Sequence, residues 1–218
     1  LEDGYAVAEN YAGRIVSRRS ADLGFERRGL LARVQVDDGE RVRKGDLLAR
    51  LDTRLLEARR LELRAKLEHS RASRTEIQAR HALARATVQR RKKLIRGDNV
   101  SRQRYDEARF DEQALTAQLA AAAATIRQMA ASLGVLEVEL AQSRLKAPFD
   151  GSIVERHADE GAVLDAGEPV LRLIEDTRLE ARIGVPARAA ARLKPGADYD
   201  VKVGGRVFTA RLRTLLAE

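Results

Sequence analysis

The 218 residues include no cysteine, one methionine and three histidines. Thiolate nucleophiles, disulfides and cysteine zinc sites are therefore excluded. His69 and His81 lie in a helical pattern and His157 far from both, so neither an HExxH pair nor a facial triad can be assembled from them. The carboxylates Asp37 and Asp38, and Glu137 with Glu139, fall in a turn and on a helical face, where solvation is their ordinary state. Catalytic chemistry has no other candidates, and the basic side chains stand out instead. The net charge is +8, and residues 53–96 carry 14 basic against 4 acidic side chains, more than the whole excess. Such a face can neutralise phosphates. A basic coiled-coil nucleic-acid-binding protein is thus one alternative, although no aromatic residues interleave with the arginines and no reading motif is present.

The elements that carry these arginines are helical. Thr53–Arg96 contains no Gly or Pro and is rich in Arg, Leu, Ala, Glu and Lys. Gly97, Asp98 and Asn99 interrupt it, with Gly97 suited to the end of a helix. Ser101 is placed to N-cap a second helix, with Asp106 and Glu107 early in it. That helix is expected to run to Arg144, with Gly134 as its weak point and Pro148 barring continuation. Leu115, Leu119, Ala122, Ile126, Met129, Leu133, Leu136 and Leu140 recur at alternating spacings of four and three, a coiled-coil seam. The first arm offers Leu56, Leu63, Leu67, Ile77, Ala84, Val88 and Ile95 on one stripe, shared with Arg60, Ser70, Arg74 and His81. The small residues Ala120–Ala124 permit close approach of the two helices. Two arms of 44 residues joined by four predict an antiparallel hairpin, each arm roughly 66 Å long, with its tip at residues 97–100.

On either side of the hairpin lies a repeat at an offset of 122 residues. Gly29, Gly39 and Gly45 match Gly151, Gly161 and Gly167; Val42, Leu48 and Leu51 match Leu164, Val170 and Leu173. Each half reads as a strand, a glycine turn, a second glycine turn and a strand. The fold class is therefore α+β: a small two-part β unit with pseudo-twofold symmetry, split by the hairpin. Residues 178–218 alternate again, with a short helix over Pro186–Leu193 and a hairpin turn at Gly204 and Gly205.

The halves resemble a biotinyl/lipoyl domain split by a helical insertion. The stretches Val36–Ala49 and Leu145–Val154 are similar to those of periplasmic adaptors, or membrane fusion proteins, of the HlyD type. The resistance–nodulation–division efflux subfamily is the foremost expectation. The resemblance implies residues 1–20 as an N-terminal segment with a first β-barrel strand near Tyr11–Arg18, 21–52 and 145–177 as the lipoyl-like halves, 53–144 as the hairpin, and 178–218 as an incomplete β-barrel domain. It further implies a motif at the tip: Arg90, Leu94 and Ser101 follow the pattern by which adaptors dock on TolC-like outer-membrane channels. Gly97, Asp98, Asn99 and Val100 complete that candidate site. Arg90 supplies a forked donor, Leu94 an apolar knob and Ser101 a hydroxyl.

By the same resemblance the function is that of a non-catalytic adaptor in a tripartite efflux pump. Its partners would be an inner-membrane transporter, a TolC-like channel and other copies in a ring of six, with no nucleic acid. ABC-type or major-facilitator export systems are the alternative engines. Swinging domains of this type carry biotin or lipoate on a turn lysine; here that turn has become the hairpin, and Lys44 and Lys146 stand in other contexts, so no cofactor is expected. The location would be the periplasm of a Gram-negative bacterium, associated with the inner membrane. Leu1 in place of Met suggests a processed chain, and no membrane-spanning run is expected.

Overall fold

A computed structural model describes residues 10–95 and 101–216. The strands are β1 (Gly13–Ser17), β2 (Ser20–Gly24), β3 (Gly29–Val34), β4 (Arg41–Val42) and β5 (Leu47–Leu51). The hairpin follows as α1 (Arg54–Ile95) and α2 (Arg102–Gln142). Then come β6 (Arg144–Lys146), β7 (Gly151–Arg156), β8 (Val163–Leu164), β9 (Pro169–Ile174), β10 (Leu179–Ile183), α3 (Ala187–Ala190), β11 (Asp198–Val203) and β12 (Arg206–Arg211).

The two halves do not fold side by side; they exchange strands. One sheet has the order β2-β9-β7-β4 and the other β6-β5-β3-β8. Shifting residue numbers by 122 turns one sheet into the other, including β2 and β6, which the repeat had not identified. The hydrogen bonds obey the same symmetry. Gly39 N–H donates to the Ile153 carbonyl (2.7 Å) and Gly161 N–H to that of Leu31 (2.8 Å). Gly45 N–H donates to the Ala147 carbonyl and Gly167 N–H to that of Phe25, both at 2.8 Å. These four turn glycines have φ between +81° and +94°, a region that penalises any side chain. Leu31, Leu48, Ile153, Val170, Leu171 and Leu173, all fully buried, fill the space between the sheets, with Phe25 and Phe149 at its margins. Arg19 lies 4.4 Å above the Phe149 ring, a cation–π contact.

The hairpin seam is as the spacing predicts. Every residue of the second-arm series from Leu115 to Leu140 is buried or half-buried, and Tyr105, Ala108 and Glu112 extend the series towards the tip. Along α1 the buried and half-buried positions are Leu56, Arg60, Leu63, Leu67, Ser70, Ile77, His81, Ala84, Thr87, Val88 and Arg91; all but Thr87 fall on the same four-and-three alternation, which skips one place between Ser70 and Ile77. Arg74 departs from the expectation: its position on the stripe is exposed, since a guanidinium is held in water at less cost than in an apolar seam. Of Ala120–Ala124 only Ala122 and Ala123 turn towards α1; the other three face outward. Helix α2 runs unbroken through Gly134, where the outward direction is open space.

A loop from the sandwich secures the base of the rod. Arg27 donates to the Ser143 hydroxyl (3.1 Å), and Gln142 donates to Glu26 (2.8 Å). Ser143 is fully buried, and its hydroxyl donates to the Glu139 carbonyl. Two separate antiparallel pairs, β1 with β10 and β11 with β12, flank this unit. The expected first strand is β1, and the expected short helix is the single turn α3 behind Pro186. Gly204 and Gly205 both have positive φ, as a tight hairpin turn requires.

Candidate partner-binding site at the hairpin tip

The far end of the rod is held by a short apolar layer. Val88 and Ala108 are buried, and Tyr105 is half-buried beside them. Above this layer Arg91 crosses the hairpin and donates to the backbone carbonyl of Arg104. Arg91 lies three residues after Val88, which places it on the seam, and that spacing is the sequence signal for this bridge.

Arg90 and Leu94 sit one turn apart on one face of the last turns of α1. Arg90 is exposed and Leu94 is 45 % exposed. Ser101 precedes α2 with extended backbone (φ −64°, ψ 145°), the expected N-cap position. Its side chain makes no capping hydrogen bond, and the first turn of α2 contains no acid, so the sequence expectation of a capped start is corrected. Asp106 and Glu107 lie deeper, and Gln103 donates to Glu107 at 3.2 Å. Of the predicted site, Arg90 and Leu94 share a face and Ser101 stands at the N-cap just before α2; Gly97, Asp98, Asn99 and Val100 lie outside the described residues.

The electrostatics near the tip are basic. Arg90, Arg91, Lys92 and Lys93 directly precede Leu94 in the last turns of α1, and the two lysines of the last turn complement the negative end of the helix dipole. Forked donors around an apolar knob can grip carbonyls and carboxylates on a protein surface. They offer no general acid, base or nucleophile. Among the described residues no group of three His, Cys, Asp or Glu could hold a metal ion. His81 is engaged with the Thr116 hydroxyl (3.1 Å), and His157 with Glu155 (3.6 Å).

Comparison with known proteins agrees with this architecture. Residues 19–175 match the CzcB-like barrel-sandwich hybrid domain. The chain is 28 % identical over 210 residues to the macrolide export protein MacA of Yersinia pestis, covering 94 % of this chain and 57 % of that protein. It is 30 % identical over 210 residues to the pyoverdine export membrane fusion protein PvdR of Pseudomonas aeruginosa, covering 94 % and 54 %. The crystal structure of MacA from Actinobacillus actinomycetemcomitans superposes with a TM-score of 0.80 at 19 % identity, over 94 % of this chain and 65 % of that one. The chain thus spans about half the length of the curated relatives it matches. With the split sandwich and its inserted hairpin matched over residues 19–175, the chain belongs to the membrane fusion protein family, through its CzcB-like barrel-sandwich hybrid domain.

Proposed function

We propose that this protein is a non-catalytic adaptor of a tripartite export system, joining an inner-membrane transporter to a TolC-like outer-membrane channel across the periplasm. One observation carries the reading: a rod with a basic, leucine-centred tip stands on a split sandwich. The 42 residues of α1 give it a length of roughly 63 Å. A spacer that presents recognition groups at its far end needs no chemistry of its own. The similarity to export proteins supports the same reading. Copies assembled around a common axis, six in the family expectation, would enclose a conduit; the sandwich and the flanking strands would meet the transporter.

The test uses the absence of native cysteine. A single cysteine at Lys93, exposed near the tip but outside the Arg90-Leu94-Ser101 pattern, is introduced into the full-length protein and cross-linked in intact cells. Capture of an outer-membrane channel is expected, with capture lost on Leu94→Asp or Arg90→Asp. Co-purification then identifies the transporter as resistance–nodulation–division, ABC or major-facilitator type. Capture of other copies alone would remove the bridging role.

A further inference from the structure

The internal symmetry lets the charges of the two sheets be compared strand by strand. In the strands of the first sheet, β2-β9-β7-β4, the charged residues are Asp22, Arg172, Glu155, Arg156 and Arg41. Each has a partner: Asp22 pairs with Arg172 (3.7 Å), Arg41 with Asp176 (2.8 Å), Arg156 with Asp37 (3.7 Å) and Glu155 with His157 (3.6 Å). In the strands of the second sheet, β6-β5-β3-β8, they are Arg33, Arg50, Arg144 and Lys146, with no acid. All four are exposed, and none forms an ion pair or a side-chain hydrogen bond among the described residues.

Three of these four stand in one row. Arg33 lies opposite Arg50, and Arg50 opposite Arg144, across three adjacent strands. A register shift between Leu31 and Arg33 brings Arg33 to the outer face beside Arg50, whose neighbours Ala49 and Leu51 are buried. The symmetry-related row on the other sheet is Glu155, Arg172 and Asp22, an arginine between two acids. Like charges directly opposite one another destabilise a sheet. The second sheet therefore bears a cost that the first avoids at the same three positions. Nearby acids do not relieve it. Glu160 accepts from the Val34 N–H (2.9 Å) and Asp52 is held by Arg54 (2.6 Å), and neither forms an ion pair with the row.

We infer that the row Arg33-Arg50-Arg144 is a binding site for a linear anion built of two or more phosphoryl groups. With neighbouring strands about 4.8 Å apart, the two outer arginines leave the sheet about 10 Å from each other. A single phosphate meets two adjacent forks at most, whereas a chain of phosphoryl groups meets all three. Guanidinium forks bind phosphoryl oxygens in pairs, with more geometric definition than a point charge provides. Lys146, two residues beyond Arg144 on the same face of β6, adds a fourth positive charge beside the row. A bound anion would remove the like-charge contact that the sheet otherwise carries. The site makes no demand on the adaptor function, so its test is independent of channel capture at the tip.

Isothermal titration calorimetry of the full-length protein, at low ionic strength in phosphate-free buffer, tests the site. Arginines on the rod attract anions too, so the reading is a difference between variants. Tripolyphosphate is expected to bind more tightly than pyrophosphate, and pyrophosphate more tightly than orthophosphate or citrate. Arg50→Gln should weaken tripolyphosphate binding by about tenfold or more. Arg172→Gln, the same change at the symmetry-related position, should leave it unaltered. Without ligand, Arg50→Gln is expected to raise the thermal midpoint, because it removes the like-charge contact; that readout also shows that the variant folds. Several outcomes overturn the inference: no binding of tripolyphosphate, an equal loss in both variants or in neither, orthophosphate or citrate binding as tightly as tripolyphosphate, or a lowered ligand-free midpoint for Arg50→Gln. Co-sedimentation with phosphatidylcholine vesicles bearing an alkyl diphosphate separates the two sources of such a chain. Helix α2 is apolar enough, by length and composition, to cross a membrane, contrary to the sequence expectation. Its pairing with α1, whose segment holds 14 basic side chains, disfavours burial in lipid. Pelleting is therefore read at the row: pelleting that Arg50→Gln abolishes assigns the site to a lipid headgroup, and tripolyphosphate binding without pelleting assigns it to a soluble ligand.

Discussion

Gly29 and Gly151 are related by the internal symmetry, yet their surroundings differ. A Cβ at Gly151 would stand 2.0 Å from the Ile174 carbonyl oxygen, which is backbone and cannot yield. At Gly29 the nearest atom is Cδ1 of Leu51, 2.9 Å away at the end of a flexible side chain. Gly151→Ala is expected to cost about 2–3 kcal/mol and Gly29→Ala about 1 kcal/mol or less, read from urea midpoints. A second residue-scale expectation concerns Asp52. Hydrogen bonds from the Arg54 side chain, and then from its backbone N–H, lower the Asp52 carboxyl to about 2. A lowered folded value adds stability above the unfolded carboxylate range near 4. That contribution disappears as the pH falls through about 2. Carboxyl NMR titration should show Arg54→Ala returning Asp52 towards its ordinary range and flattening the pH dependence in that window. The pair is solvent-facing, so its effect on overall stability is small.

At the scale of elements, Arg60 is the exception in the seam. Its Nε is buried without a hydrogen-bond partner, a cost of about 1–3 kcal/mol for such a group. Arg60→Leu is expected to stabilise the rod by about 1 kcal/mol or more, measured as a raised thermal midpoint of the helical signal. The hairpin was legible because two simple periods, heptad spacing and the Gly97-Asp98-Asn99 break, were written in neighbouring residues. The strands β3, β5, β7 and β9 were legible from the repeat. Strands β2 and β6 were not, because their counterparts pair with strands more than 90 residues away and share few residue types across the repeat. At the tip the order of Arg90, Leu94 and Ser101 is legible in the residues, but the failure of Ser101 to cap is not, since a favourable residue type does not fix its hydroxyl.

For the whole molecule, the rod is a ruler. Removing residues 72–78 together with 118–124 deletes one heptad from each arm at matching heights and shortens the rod by roughly 10 Å. The shortened protein is expected to keep its helical signal and its seam, yet to lose capture of the channel at the tip, checked by circular dichroism and the cross-link at Lys93. Deleting 72–78 alone shifts the two seams past each other and should lower the thermal midpoint as well. The exchanged strands of the sandwich have another consequence. Neither half can close on itself, because Gly39 bonds Ile153 and Gly45 bonds Ala147. Each half has a strand pair of its own, β3 with β5 and β7 with β9, but closing so long a loop in an unstructured chain carries an entropy cost that must be met before the contacts between the halves repay it. Zippering α1 onto α2 brings the ends together, since the Leu51 N–H then reaches the Ser143 carbonyl at 2.9 Å. The expected order of folding is that the rod zips before the two halves join at its foot, so that a defect high in the seam should surface in refolding kinetics as slow maturation of a β unit it never touches.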